Sequence, residues 1–213
     1  MASLQKKINN ANAPISRNFC PNKYDSLYKE IKHLMTENSV RVSPAGKGVG
    51  KSLDLLVRET IIGETSFDIS ATGTLLRSVG VSSLILIFKD LRLFEEKQVF
   101  EDGRIRKRNL VSTVTEKIKA GEWPEEAVYR GLSEELGITQ RLNLTPVGTT
   151  VRQLDSPSYP GLTSRYTIHL FEATLPSGEY KPEGYMEHNP DTGITAYFVW
   201  KPSKEFHDLP FSA

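Results

Sequence analysis

Tyr24, Leu27, Tyr28, Ile31 and Leu34 recur at helical spacing and predict an amphipathic helix over residues 23–35. Residues 52–62, with Leu53, Leu55, Leu56, Val57, Ile61 and Ile62, predict a second helix. Between residues 67 and 89 the chain turns β-branched and aliphatic, and the run 84–88 suits a central strand. Residues 91–100 suit a hairpin partner, with a closing turn at Glu101, Asp102 and Gly103, and residues 110–118 alternate as a strand does. The strongest helix signal covers Pro124 to Leu136. Proline fits the first helical position, Glu125 and Glu126 oppose the positive end of the dipole, and Gly137 fits the stop. Residues 144–152 and 164–175 predict long strands around a loop with Pro157, Pro160 and Gly161. Residues 179–193 read as loop and 196–200 as a last strand. Strands on both sides of one strong helix predict an α/β fold, a mixed sheet with helices packed on it.

Composition narrows this picture. A length of 213 residues fits one domain with an extension. The expected division is an N-terminal, partly helical extension over 1–69, a main domain over 70–205 and a C-terminal tail over 206–213. A net charge of +1 gives no support to a nucleic-acid or membrane partner. The longest apolar run, 79–88, is interrupted by Gly80, Ser82 and Ser83 and falls well short of the roughly 20 residues of a membrane span. The single cysteine, Cys20, excludes an internal disulfide framework and any multi-cysteine zinc site. Cytoplasmic location is the expectation. The acid-free stretch 1–24, with Lys6, Lys7, Arg17 and Lys23, also suits an organelle transit peptide, although a frayed terminal arm is the simpler reading.

The chemistry concentrates in the strong helix. Val128, Leu132 and Leu136 lie four apart and form the stripe that would face the sheet. Glu134 and Glu135 are about 100° apart around the axis, so both can lean toward one edge of that stripe, and Arg130 sits one turn before Glu134. Two adjacent carboxylates at the negative end of a helix repel each other and need a cation or open water. Alone, such residues read as a solvated face. Paired carboxylates are also what Mg²⁺ uses when it grips phosphate oxygens.

Gly121-Glu122, Pro124-Glu125-Glu126-Ala127, Arg130, Leu132, Glu134-Glu135 and Gly137-Ile138 together resemble the Nudix box, whose pattern is G-x5-E-x7-R-E-U-x-E-E-x-G-U, with U aliphatic. Glu122, Arg130, Leu132, Glu134, Glu135, Gly137 and Ile138 match it without a gap. The resemblance implies an α/β/α sandwich and a Mg²⁺-dependent hydrolase, with Mn²⁺ as an alternative ion, that acts on a small-molecule substrate carrying a diphosphate bond. It implies Glu134, Glu135, Arg130 and Glu122 as catalytic residues, and Glu134, Glu135 and Glu116 around the metal. Two positions depart from the pattern. Its opening glycine is Glu116 here, and the first glutamate of its core is Gly131. A glycine within a helix costs about 1 kcal/mol relative to alanine, so it is tolerated there or serves a close approach. Glu116, Glu183, Glu187 and Asp191 are each able to replace the missing carboxylate.

Two alternatives accompany hydrolysis: a silent binding module of the same fold, or non-hydrolytic chemistry on a diphosphate. A further phosphate signal is the near P-loop at 45–52, Ala45-Gly46-Lys47-Gly48-Val49-Gly50-Lys51-Ser52, which requires a strand before it and a helix after it. Its plain reading is a basic surface loop. Arg108, from the cluster Arg104, Arg106, Lys107 and Arg108, together with Arg152 and Arg165, are the substrate-binding candidates by placement. A homodimer through a sheet edge stays open.

Overall fold

The computed structural model describes residues 21–40, 51–70, 73–107, 112–156, 158–190 and 192–206. Two helices come first, α1 (Pro21–Glu37) and α2 (Leu53–Ile61). Strands β1 (Ser66–Ile69), β2 (Leu75–Phe88), β3 (Leu91–Val99), β4 (Ile105–Lys107) and β5 (Val114–Lys117) follow. Helix α3 (Pro124–Leu136) precedes β6 (Thr145–Asp155), β7 (Thr163–Thr174), β8 (Tyr185–Asn189) and β9 (Ile194–Pro202). Among the described residues the nine strands make one sheet in the order β6-β7-β2-β3-β9-β8, with β1 and β5 on β2 and β4 on β3. The pairs β1/β2, β2/β3, β3/β4, β3/β9 and β8/β9 are antiparallel. By contrast, β7 runs parallel to β2, since Arg165 bonds Ser78 near one end and the Leu175 N–H meets the Ile87 carbonyl near the other. The sheet is therefore mixed, as expected for the α/β class.

The chain forms two compact units. The first contains Met1–Gly80, Lys117–Glu122 and Thr150–Thr167. Its core joins Leu27, Ile31, Leu34 and Met35 of α1, Leu56 and Val57 of α2, Phe67, Leu75, Tyr159 and Leu162. Helix α2 starts where Ser52 Oγ accepts the Leu55 N–H, a side-chain cap. A charged knot is buried here. The Arg77 guanidinium donates to Glu59 and Thr65, each at 3.0 Å, and lies over the Tyr159 ring. Lys51 and Lys117 also reach Glu59, at 2.8 and 2.5 Å, and Lys117 reaches Glu64.

The second unit contains Val81–Glu116, Trp123–Thr149 and Ile168–Ala213. Leu84, Leu86 and Phe88 alternate down one face of β2 and meet Val128, Leu132 and Leu136 of α3, together with Leu93, Phe171, Ala173 and Phe198. Burying each of these large side chains contributes about 1.5–3 kcal/mol. Helix α3 has the expected ends. Pro124 occupies its first turn, the Glu126 carboxylate accepts the Trp123 N–H, and Gly137 at φ 68° stops it, with the Ile138 N–H bonded back to Leu132. Ser82 Oγ donates to the Pro124 carbonyl and fixes that end to β2.

The sheet corrects one expectation: residues 179–193 are not all loop. Tyr185–Asn189 is an edge strand, paired from Tyr185↔Phe198 to Asn189↔Ile194. Its burial alternates, with Met186 and His188 exposed, but its sequence carries no apolar alternation, and pairing with β9 defines it. A second irregularity lies in β3. Its register against β9 slips between Glu95 and Lys97, a bulge at Glu96.

Candidate active site

The site lies in the second unit, where β5 passes the inner side of α3. Val114 and Glu116 are two apart on β5 and project to one face, where α3 presents the buried Gly131. The glycine is required by this approach. A Cβ at 131 would stand 2.6 Å from Glu116 Cγ and closer still to Val114 Cγ1. The Glu116 side chain therefore lies in the space a side chain at 131 would take.

Its carboxylate accepts from Arg130 Nη1 at 2.5 Å, both groups being largely buried. Arg130 also stands 3.6 Å from Glu134, whose side chain is 58% exposed. Glu135 is turned inward, beside Glu116. Burial pushes the Glu135 carboxyl well above the ordinary range, reinforced by the charges of Glu116, Glu187 and Glu95. Burial also pushes Glu116 up, although Arg130 draws it back. Glu187, from β8, is raised by burial and then by Glu116, Glu95 and Glu134. These glutamates thus act on one another, and Arg130 answers part of their charge. Glu95, Glu135 and Glu187 line a small cavity of about 70 Å³ with Gln98, Thr113 and Thr115.

Of the residues singled out in the sequence, Glu116, Arg130, Glu134 and Glu135 come together here. Glu122, Arg152 and Arg165 belong to the first unit. There the Glu122 carboxylate accepts the Lys119 N–H at 2.8 Å, and Arg165 bonds Ser78 and stands 3.8 Å from Asp68. Arg108, Asp191 and residues 45–50 lie outside the described residues. In the near P-loop, Lys51 is engaged by Glu59 and Ser52 caps α2, while the stretch before the motif, residues 41–44, lies outside the described residues. Sequence reasoning missed Glu95. Residues 92–95 are all buried, so no alternation singles Glu95 out, and the glutamate at 96 and the bulge obscure it further.

The family model described as the NUDIX domain matches residues 83–211, more than half of the chain. The chain belongs to the Nudix family. Among solved structures, this Nudix chain is similar to the Escherichia coli dihydroneopterin triphosphate pyrophosphohydrolase, at 20% identity over 62% of this chain and 86% of that one, with a TM-score of 0.42. A MutT protein from Bacillus halodurans is 25% identical over 63% and 74%, TM-score 0.40. The Caenorhabditis elegans Ap4A hydrolase is 16% identical over 60% and 83%, TM-score 0.32. Likenesses of this strength bear on neither substrate nor mechanism. No curated protein matches the chain.

A divalent ion suits the Nudix donor set by its chemistry. Carboxylates are hard oxygen ligands; burial first and mutual repulsion second raise Glu135 and Glu187, and a cation relieves that repulsion. Among the described residues, no three His, Cys, Asp or Glu side chains converge at chelating distance.

Proposed function

We propose that the chain is a Mg²⁺-dependent hydrolase of a diphosphate bond in a small-molecule substrate, with its site in the second unit. The supporting observation is the mutual arrangement of Glu116 and Glu135, two neighbouring carboxyls of which the first is paired with Arg130, at the inner face of the Nudix helix. Glu134, Glu135 and Glu116 would hold the ion, with Mn²⁺ as a substitute. When bound, the ion neutralises the diphosphate and lowers the pKa of an attacking water. The chain's own residues do the rest. Arg130 fixes the direction of Glu116 and steadies Glu134. Glu187 and Glu95 border the adjoining cavity and add negative charge that favours cation over anion entry. Burial and the neighbouring carboxylates raise Glu135 in the ion-free site, and a bound cation would favour its ionised form.

A screen of nucleotide-linked and other small diphosphates with Mg²⁺ or Mn²⁺, run beside Glu134→Gln and Glu135→Gln, tests this. Turnover lost in both variants supports the reading, and no turnover on any substrate removes it.

Gly131 favours a second reading, because the helix lacks a carboxylate at that position. In that reading the site binds a diphosphate without cleaving it. Calorimetric binding by a chain that never turns its ligand over would support it, and turnover abolished by Glu135→Gln would eliminate it.

A further inference from the structure

We infer that the cavity beside helix α3 binds the hydroxyl groups of a sugar or other polyol joined to the diphosphate. Gln98 is the specificity-determining residue, and Arg106 is the positioning residue that orients it. This inference rests on the diphosphate reading above and names the group that the diphosphate carries.

Strand β4 sets the direction of the amide. Arg106 lies opposite Gln98 in the β3/β4 ladder. Its Nε donates to Gln98 Oε1 at 3.1 Å, and its Nη2 donates to the same oxygen. A guanidinium has donors only, so the amide must present its oxygen to Arg106. The amide nitrogen is thereby turned away from Arg106, toward the cavity that Gln98 lines. Gln98 is 9% exposed, and among the described residues no acceptor meets its Nε2. The Phe100 ring, 5.5 Å from Arg106 Cζ, braces the guanidinium.

The rest of the polar wall is of the opposite kind. Glu95, Glu135 and Glu187 contribute carboxyls. The Thr113 hydroxyl is engaged on both sides, accepting the Leu86 N–H and donating to the Leu93 carbonyl, and the Thr115 hydroxyl is shared with Ser112 at 2.8 Å. An occupant therefore meets several acceptors and one fixed donor. A phosphate oxygen accepts from Gln98 but is repelled by the carboxylates. An ammonium group suits the carboxylates but offers the amide no acceptor. A bare metal ion offers none either, and no three acidic side chains converge at chelating distance among the described residues. A hydroxyl donates and accepts through one oxygen, and the adjacent hydroxyls of a sugar repeat that pattern, with the buried Phe198 in the wall as apolar surface for a C–H edge. Water has the same pattern, and a hydroxyl that displaces it reproduces its bonds. The volume of about 70 Å³ holds about five water-sized groups, far below the roughly 300 Å³ at which pockets for whole ligands begin. One edge of a sugar fits.

The test is calorimetric titration of the full chain in EDTA, with thermal melts confirming the fold. The probes are ADP and UDP, each compared with the same diphosphate carrying a sugar, ADP-ribose and UDP-glucose. Wild type should bind at least one sugar-bearing probe about 10-fold more tightly than its parent, as a hydrogen bond to a charged group provides. Gln98→Glu, nearly isosteric, exchanges the donor for an acceptor and should bring that ratio to about 1. Arg106→Met keeps the stem but frees the amide to rotate, so it should lower the ratio while leaving the affinity for ADP and UDP unchanged, which loss of fold would not do. Equal affinity for sugar-bearing and parent probes in wild type overturns the proposal, as does no binding of any of the four. So does a preference that survives in folded Gln98→Glu, or in Arg106→Met should Gln98→Glu not fold. Turnover of diphosphates with Mg²⁺ alongside no such preference removes this proposal and leaves the hydrolase reading. A preference that needs Gln98, without turnover of any diphosphate, removes the hydrolase reading alone.

Discussion

Arg77, 1% exposed, donates through Nη2 to the buried Glu59 carboxylate at 3.0 Å and through Nε to Thr65 at the same distance. Removing one partner leaves the other charge without compensation. Glu59→Ala should cost about 3–5 kcal/mol in urea unfolding. A loss below about 1 kcal/mol would show that water reaches the pair and that the burial is overstated.

Acid should act through the same carboxylate. Burial pushes Glu59 up, but Lys117 and Lys51 outweigh it and hold its pKa below the usual value. A depressed carboxyl contributes stability above its unfolded value, near 4.3, and loses it as pH falls through the folded one. Unfolding free energy measured between pH 6 and pH 2.5 should therefore fall less steeply in Glu59→Gln than in wild type. Parallel curves would contradict the assignment.

The opposite sign holds at the site. Glu187 is raised, so its ionised form penalises the fold above the raised value, and the penalty fades as pH falls toward the unfolded one. Glu187→Gln should raise Tm at pH 8, with a gain that shrinks by pH 5. A Tm lowered equally at both values would mean that Glu187 is held by contacts rather than repelled.

Mg²⁺ should stabilise the wild type by mass action, about 2.7 kcal/mol at a concentration 100-fold above Kd. Thermal melts across a Mg²⁺ titration should show the shift in wild type and lose most of it in Glu135→Gln. An equal shift in both proteins would place the ion elsewhere.

Leu132 is fully buried between α3 and the sheet. Leu132→Ala should cost about 2–5 kcal/mol by chemical denaturation, with Val128→Ala somewhat less. Little change at either position would mean that the helix packs less tightly than its burial implies.

What could be read from the sequence was local. Helix α3 runs from Pro124 to Leu136 as its caps foretell, because Pro124, Glu126 and Gly137 act within a turn of their own positions. The Val128, Leu132 and Leu136 stripe is buried for the same reason. Strand β8 escaped because its pairing with β9, not its own pattern, defines it. Among Glu116, Glu183, Glu187 and Asp191 no spacing rule could choose, since the relation between Glu116 and Gly131 exists only across the gap between β5 and α3. Glu95 was hidden by a neighbour of its own kind.

The slip at Glu96 has a geometric corollary. With every residue kept but no slip, strict alternation would send Lys97 toward the face that Glu95 shares with Phe198 and turn Gln98 away from it. With it, Glu95 and Gln98 stand three apart in sequence yet border the same hollow. Excising that one amino acid would close the ladder and still leave the amide, not the ammonium group, in the hollow's wall; the slip is what lets the strand absorb an odd residue without turning over everything downstream.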